Sequence, residues 1–219
     1  MRHFSRIFAS LLLSICLPSV PVAAFDSPLS DTAVRQAYFL GQRHDGSLVR
    51  LLDKYTKRLP SAKTTPYVSS VTFLTPFAQL ALRSDRHLGS YSAQQAQLDH
   101  RAEGEFVRII VEIRLPNSYA AFITVSPRSG PLPAPARLPY DFWKDYEVQI
   151  FDNKQALSVP TFSGRADSVC GRSGSCTLIG ATLELEVPPD VFSSGTAAIL
   201  VVPPRGDPVS VDFDLSRFR

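Results

Sequence analysis

The chain has 219 residues, 44% hydrophobic and 20% charged, the balance of a folded soluble protein and a size that suits one domain of sandwich type. Its 18 prolines exclude long helices and favour many short elements joined by turns. The formal charge of +3 falls to +1 once Arg2 and Arg6 are set aside, since 21 Lys+Arg then face 20 Asp+Glu, and no concentrated basic face for nucleic acid is present.

Residues 1–24 read as a secretory signal. Arg2, His3 and Arg6 form a cationic start, Ile7 to Leu17 an apolar run, Pro18 and Pro21 a helix break, and Val22-Ala23-Ala24 a small-residue peptidase site. The run is too short for a stable membrane span. Cleavage after Ala24 thus predicts an exported protein of the periplasm or extracellular space, with no transmembrane anchor. Leu13-Ser14-Ile15-Cys16 approaches a lipoprotein cleavage box, but Ile15 is too large for the residue that precedes a lipidated cysteine.

Ser30 or Asp31 can cap a helix through Ala33, Val34, Ala37 and Leu40, and Gly41 and the His44-Asp45-Gly46 corner interrupt it. Leu48, Leu51, Leu52, Tyr55 and Leu59 continue at helical spacing until Pro60. Tyr67 to Leu74 has strand composition, residues 77–88 are ambiguous, and Ser92 can cap a polar helix reaching Arg101.

From Glu105 the period changes to two. Val107, Ile109, Val111, Ile113 and Leu115 predict a half-buried strand, and Tyr119 to Ser126 a second. Pro127 to Pro139 predicts a stiff extended connection. Further strands are expected around Tyr146–Ile150, Ile179–Val187, Ala197–Val202 and Val209–Leu215. The predicted class is α+β: residues 25–103 helical with one strand, their apolar stripe covered by an antiparallel β-sandwich over 104–219, immunoglobulin-like in the broad sense.

Cys16 leaves with the signal, so Cys170 and Cys176 remain as an even pair in an exported chain, which predicts a disulfide. A metal reading would need further Cys or His close by. His44, His87 and His100 are not at zinc-helix spacing, and His100 on a polar helix is expected to face solvent. No metal and no cofactor is predicted.

Catalytic signatures fare no better. Gly171-Arg172-Ser173-Gly174-Ser175 misplaces the last glycine of a nucleophile elbow and lacks its helix. Glu184 with Glu186, and Asp212 with Asp214, are explained as solvated strand faces. Arg205-Gly206-Asp207, flanked by Pro204 and Pro208, reads as a turn. The candidate binding residues are Tyr140 and Trp143, in Tyr140-Asp141-Phe142-Trp143-Lys144-Asp145-Tyr146. Exposed rings beside carboxylates can stack on sugars, whereas buried rings would plug the sheet interface.

Asp31-Thr-Ala-Val-Arg-Gln-Ala-Tyr-Phe-Leu-Gly-Gln-Arg43, Tyr91-Ser-Ala-Gln-Gln-Ala-Gln97, Asp141-Phe-Trp-Lys-Asp-Tyr146 and Phe213-Asp-Leu-Ser-Arg-Phe-Arg219 give the chain a resemblance to a group of exported soil-bacterial proteins of unknown function. That resemblance implies export and one continuous unit, and no activity or site residue. The expected function is a non-catalytic binding or structural protein of the cell envelope, with an envelope protein or a saccharide as partner. The alternative is an extracytoplasmic hydrolase acting on envelope or environmental polymers, its carboxylates brought together only by folding.

Overall fold

The computed structural model describes residues 24–87, 89, 91–117, 138–158, 162–171 and 176–219. Residues 1–23 of the expected signal, with Cys16, the strand over 119–126, most of the proline connection and Ser173 lie outside these residues.

The described elements make an α+β fold, with helices N-terminal and two antiparallel sheets. Helices α1 (Asp31–Gln42), α2 (Ser47–Tyr55), α3 (Pro76–Arg86) and α4 (Ala93–Glu103) alternate early with strands β1 (Thr56–Arg58) and β2 (Tyr67–Leu74). Then follow β3 (Val107–Arg114), β4 (Glu147–Asp152), β5 (Gln155–Ala156), β6 (Ser163–Cys170), β7 (Cys176–Val187), β8 (Thr196–Val202) and β9 (Val209–Asp214). One sheet has the order β1-β2-β3-β7-β6 and the other β5-β4-β8-β9.

Local chemistry sets the helix starts. Ser30, Thr75 and Ser92 each accept a backbone N–H of the first turn, from Ala33, Ala78 and Gln95. Thr75 with Pro76 at the first helical position makes 76–86 a helix, resolving the ambiguous stretch. The second helix ends at Tyr55, short of Leu59, because Thr56 to Arg58 turn extended and pair with Thr72, Val71 and Ser70. Pairing of β2 with β3 over Tyr67 to Leu74 makes the strand of the helical segment an inner member of the five-stranded sheet. The sheet therefore crosses the expected 103/104 boundary.

Strand β3 alternates as its sequence dictates: Val107, Ile109, Val111 and Ile113 are buried and their neighbours half-buried. In β7 the phase slips. The pairing shifts between Asp167 and Ser168 of β6, so Leu178 is buried and Ile179, expected to face inward, is only half-buried. Strand β6 escaped prediction because Ser-Gly-Arg-Ala-Asp-Ser-Val-Cys has no apolar alternation, which an edge strand does not require. Cys170 and Cys176 are register partners across β6 and β7 and are joined by a disulfide, with Cα atoms 3.9 Å apart.

The inner faces meet in one core that includes Ile109 and Leu183 of one sheet and Ile150 and Ile199 of the other. The helices build a second, smaller core from Val34, Ala37, Leu48, Phe77, Leu80 and Ala81. The apolar stripe of α1 is thus covered by α3, where the sequence led us to expect the sheet. Gly41 allows this contact: a Cβ there would lie 2.3 Å from the Ala81 carbonyl oxygen and 2.7 Å from Ser84 Cβ. Leu51, Leu52 and Leu82 pack against both cores and join them.

Phe73 of β2 lies at the junction. Its ring centroid is 6.2 Å from Phe25, 5.2 Å from Phe192, 5.6 Å from Phe213 and 5.7 Å from Phe218. Phe73→Ala should cost about 4 kcal/mol through lost contact and a residual cavity, seen as a lowered urea midpoint with an unchanged slope.

Candidate functional site

Tyr140 and Trp143 do not form one platform. Tyr140 is 67% exposed, on the turn before a short 3-10 helix (Phe142–Asp145). Trp143 is half-buried against β6, where a Cβ on Gly164 would come within 2.4 Å of its six-membered ring. Phe162 meets the indole edge-on at 6.2 Å, and the Lys144 ammonium lies over it at 5.7 Å while bonding Asp141 at 3.1 Å. Phe142 is fully in the core. Trp143 packs the turn onto the edge strand, and of the two candidates Tyr140 is the one with the more exposed ring.

The remaining sequence candidates are accounted for by structure. Glu184 and Glu186 flank Arg108 of β3, at 4.0 and 2.7 Å, in a cross-strand charge ladder. Asp212 and Asp214 lie exposed on β9, where Asp214 accepts the Ser216 hydroxyl. Arg205, Gly206 and Asp207 form an exposed turn between β8 and β9. His44 pairs with Asp85 at 3.1 Å, and His87 stacks on Tyr91 at 4.6 Å. Among the described residues no three His, Cys, Asp or Glu side chains are grouped to hold a metal ion.

His100 departs from expectation. Its side chain is 13% exposed, with Nε2 2.9 Å from Glu105 Oε1, and Glu105 is 14% exposed. Glu105 also accepts the Ser27 hydroxyl at 2.7 Å and the Leu29 N–H at 2.6 Å. One carboxylate on the loop between α4 and β3 thereby ties down residues 24–29, an N-terminal strap whose Phe25 reaches the core. Helical periodicity hides this role, because the partner of His100 lies beyond the helix end, past Gly104.

The strap walls a cleft of about 730 Å³, lined by Phe25, Leu29, Phe192, His100 and Glu105 among others. This is the size and mixed lining of a small-ligand site. Two charged pairs stand in its lining, His100 with Glu105 at 2.9 Å and Asp31 with Arg101 at 3.0 Å. The arrangement offers an apolar surface and a fixed hydrogen-bonding wall.

Close by, Asp152 fixes the turn after the second 3-10 helix (Pro189–Val191). Its Oδ2 accepts Ser193 N–H at 3.1 Å and Ser193 Oγ at 2.8 Å, and its Oδ1 accepts Ser194 N–H at 3.2 Å and the Ser194 hydroxyl. Burial pushes the Asp152 carboxyl up, but the serine hydroxyls and N–H groups outweigh it and hold the carboxyl below the ordinary 3.8.

Two predictions follow from this geometry. A lowered folded-state value means that the contribution of Asp152 to stability is complete above the ordinary carboxyl range and is lost as pH falls through the lowered value. Asp152→Ala should therefore cost about 3 kcal/mol near neutral pH, with the gap to the parent protein narrowing in acid below 3.8; urea titrations across pH measure it. Trp143→Ala should cost about 3 kcal/mol by emptying the contact on Gly164, while Tyr140→Ala should change stability by less than about 0.5 kcal/mol, both read by thermal unfolding. No family model matches the chain, and no curated protein matches it.

Proposed function

We propose that this is a non-catalytic binding protein of the cell envelope, exported by removal of residues 1–24 and working in the periplasm or outside the cell. The supporting observation is the cleft beside the strap: it is large enough for a ligand, and Glu105, His100, Asp31 and Arg101 within it are paired with one another. The disulfide fits an oxidising compartment. Among the described residues no helix is long and apolar enough to cross a membrane, and the resemblance of Asp31–Arg43 and Phe213–Arg219 to exported proteins points the same way.

A saccharide is the favoured partner class over an envelope protein, because the surfaces around the strap are concave and rich in hydroxyl groups. Incubating the chain from Phe25 onward with purified cell-wall polysaccharide should give saturable retention, with the soluble fraction free of released fragments by mass spectrometry. Fragments accumulating with time would establish the hydrolase alternative. No saturable retention on any envelope fraction, glycan or protein, would refute the binding reading.

A further inference from the structure

The strap also lines a second cleft, of about 710 Å³, and a third of about 670 Å³ adjoins it; Gln36 and Arg219, hydrogen-bonded to each other at 2.7 Å, line both. The two adjoining clefts make a trough along α1, crossed by that pair. Thr32, Gln36, Phe39 and the C-cap residue Arg43 border it at intervals of four, three and four residues, with Leu40 beside Phe39, so one side of the helix makes its wall.

Three features of this trough point to one ligand chemistry. Its strap end is lined by the hydroxyls of Ser30, Thr32, Ser193 and Ser216; Ser193 and Ser216 give their protons to Asp152 and Asp214, which leaves oxygen lone pairs to accept from a polyhydroxylated molecule. At the other end Phe39 is 56% exposed and is braced by Tyr38, ring to ring at 5.2 Å, which leaves an aromatic surface at the trough wall. Between them sits Arg219. Its main chain is anchored where Tyr55 Oη accepts the Arg219 N–H at 2.9 Å and, with the Thr75 hydroxyl, donates to the Arg219 carbonyl.

The Arg219 guanidinium lies over Phe77 at 5.1 Å, gives Nη2–H to Gln36 Oε1 at 2.7 Å and holds Nε 3.7 Å from Asp26. It is aimed by these contacts yet 54% exposed. A planar fork held in this manner suits a carboxylate better than a neutral hydroxyl. Arg43 adds a second cation, so among the lining side chains Arg43 and Arg219 stand against Asp26. Two adjoining clefts of about 710 and 670 Å³ exceed what one sugar ring fills.

We propose that the trough binds an acidic polysaccharide whose rings carry carboxylates, that is, a chain of uronic acid units. This rests on the binding reading above and names its ligand. Rings lie against Phe39 and the hydroxyl wall, and carboxylates meet Arg219 and Arg43.

The test is calorimetric titration of the chain from Phe25 onward with a hexamer of galacturonate, beside a neutral glucose hexamer and a phosphorylated mannose oligomer. The hexauronate should bind saturably, and more weakly as salt rises, since exposed cations are screened. Arg43→Gln and Arg219→Gln should each weaken it about tenfold, and Phe39→Ser should do likewise without shifting thermal unfolding. Equal binding of the neutral hexamer, or insensitivity to salt, would overturn the acidic ligand while leaving a binding protein. Preference for the phosphorylated oligomer would overturn the carboxylate. Absence of hexauronate binding, or binding unchanged in all three variants, would overturn the site.

Discussion

The fold depends on keeping one ring dry. Phe73 is fully buried, and the four rings around it come from the strap, the segment after β7, strand β9 and the residue before Arg219. None of these pieces is a neighbour of Phe73 in sequence, so the contact exists only when both sheets and both ends of the described chain are in place. Aromatic packing at 5 to 6 Å separations contributes beyond area burial, and the loss of any one ring would open the others to water. Phe218 extends the cluster outward by stacking on Tyr55 at 4.2 Å, and Tyr55 in turn bonds Arg219. Burial raises the Tyr55 phenol above its ordinary value, consistent with a hydroxyl kept neutral to bond the main chain.

From that centre the geometry of the surface follows. Phe25 can enter the cluster only if the strap crosses the gap between the helical core and the sandwich, and a crossing segment exposes main-chain N–H groups that need acceptors. Glu105 supplies one at Leu29 and takes the Ser27 hydroxyl as well. Clefts are then left beside the strap, because a single extended segment is too thin to fill the space between two packed units. The concavities are therefore a consequence of how the helical core is attached. The close approach of α1 to α3 at Gly41 reinforces this by drawing the two helices onto one another.

Legibility in the sequence divides along the same physical line. Strand β3 could be read because each inward residue is apolar and each outward one is not, a pattern set by the pleat itself. Helix starts could be read at Ser30 and Ser92, where a side-chain oxygen satisfies the first turn locally. The disulfide was legible from an even cysteine pair in a chain expected to be exported. What could not be read is non-local: the phase slip at Ile179 depends on how β6 pairs, and β6 itself is a polar edge strand. Helix α1 announced an apolar stripe, but nothing in its own residues says that α3 covers it. Glu105 gives no sign in one dimension of holding the strap, since its partners Ser27 and Leu29 are 78 and 76 residues away.

The aromatic turn illustrates why residue type alone misdirects. A lone tryptophan beside aspartates suits a sugar platform, yet its ring lies against Gly164, and a face already covered cannot stack on a ligand. Recognition requires groups that are both positioned and left open. Around the strap these two conditions coincide. Arg219 is positioned by a tightly held main chain and by Gln36 and Phe77, and it is open because the trough stands over it. Trp143 meets the first condition and fails the second, and Tyr140 the reverse. The difference lies in the partners that folding brings to each side chain, so a binding surface on this protein is defined by what the core leaves unfilled.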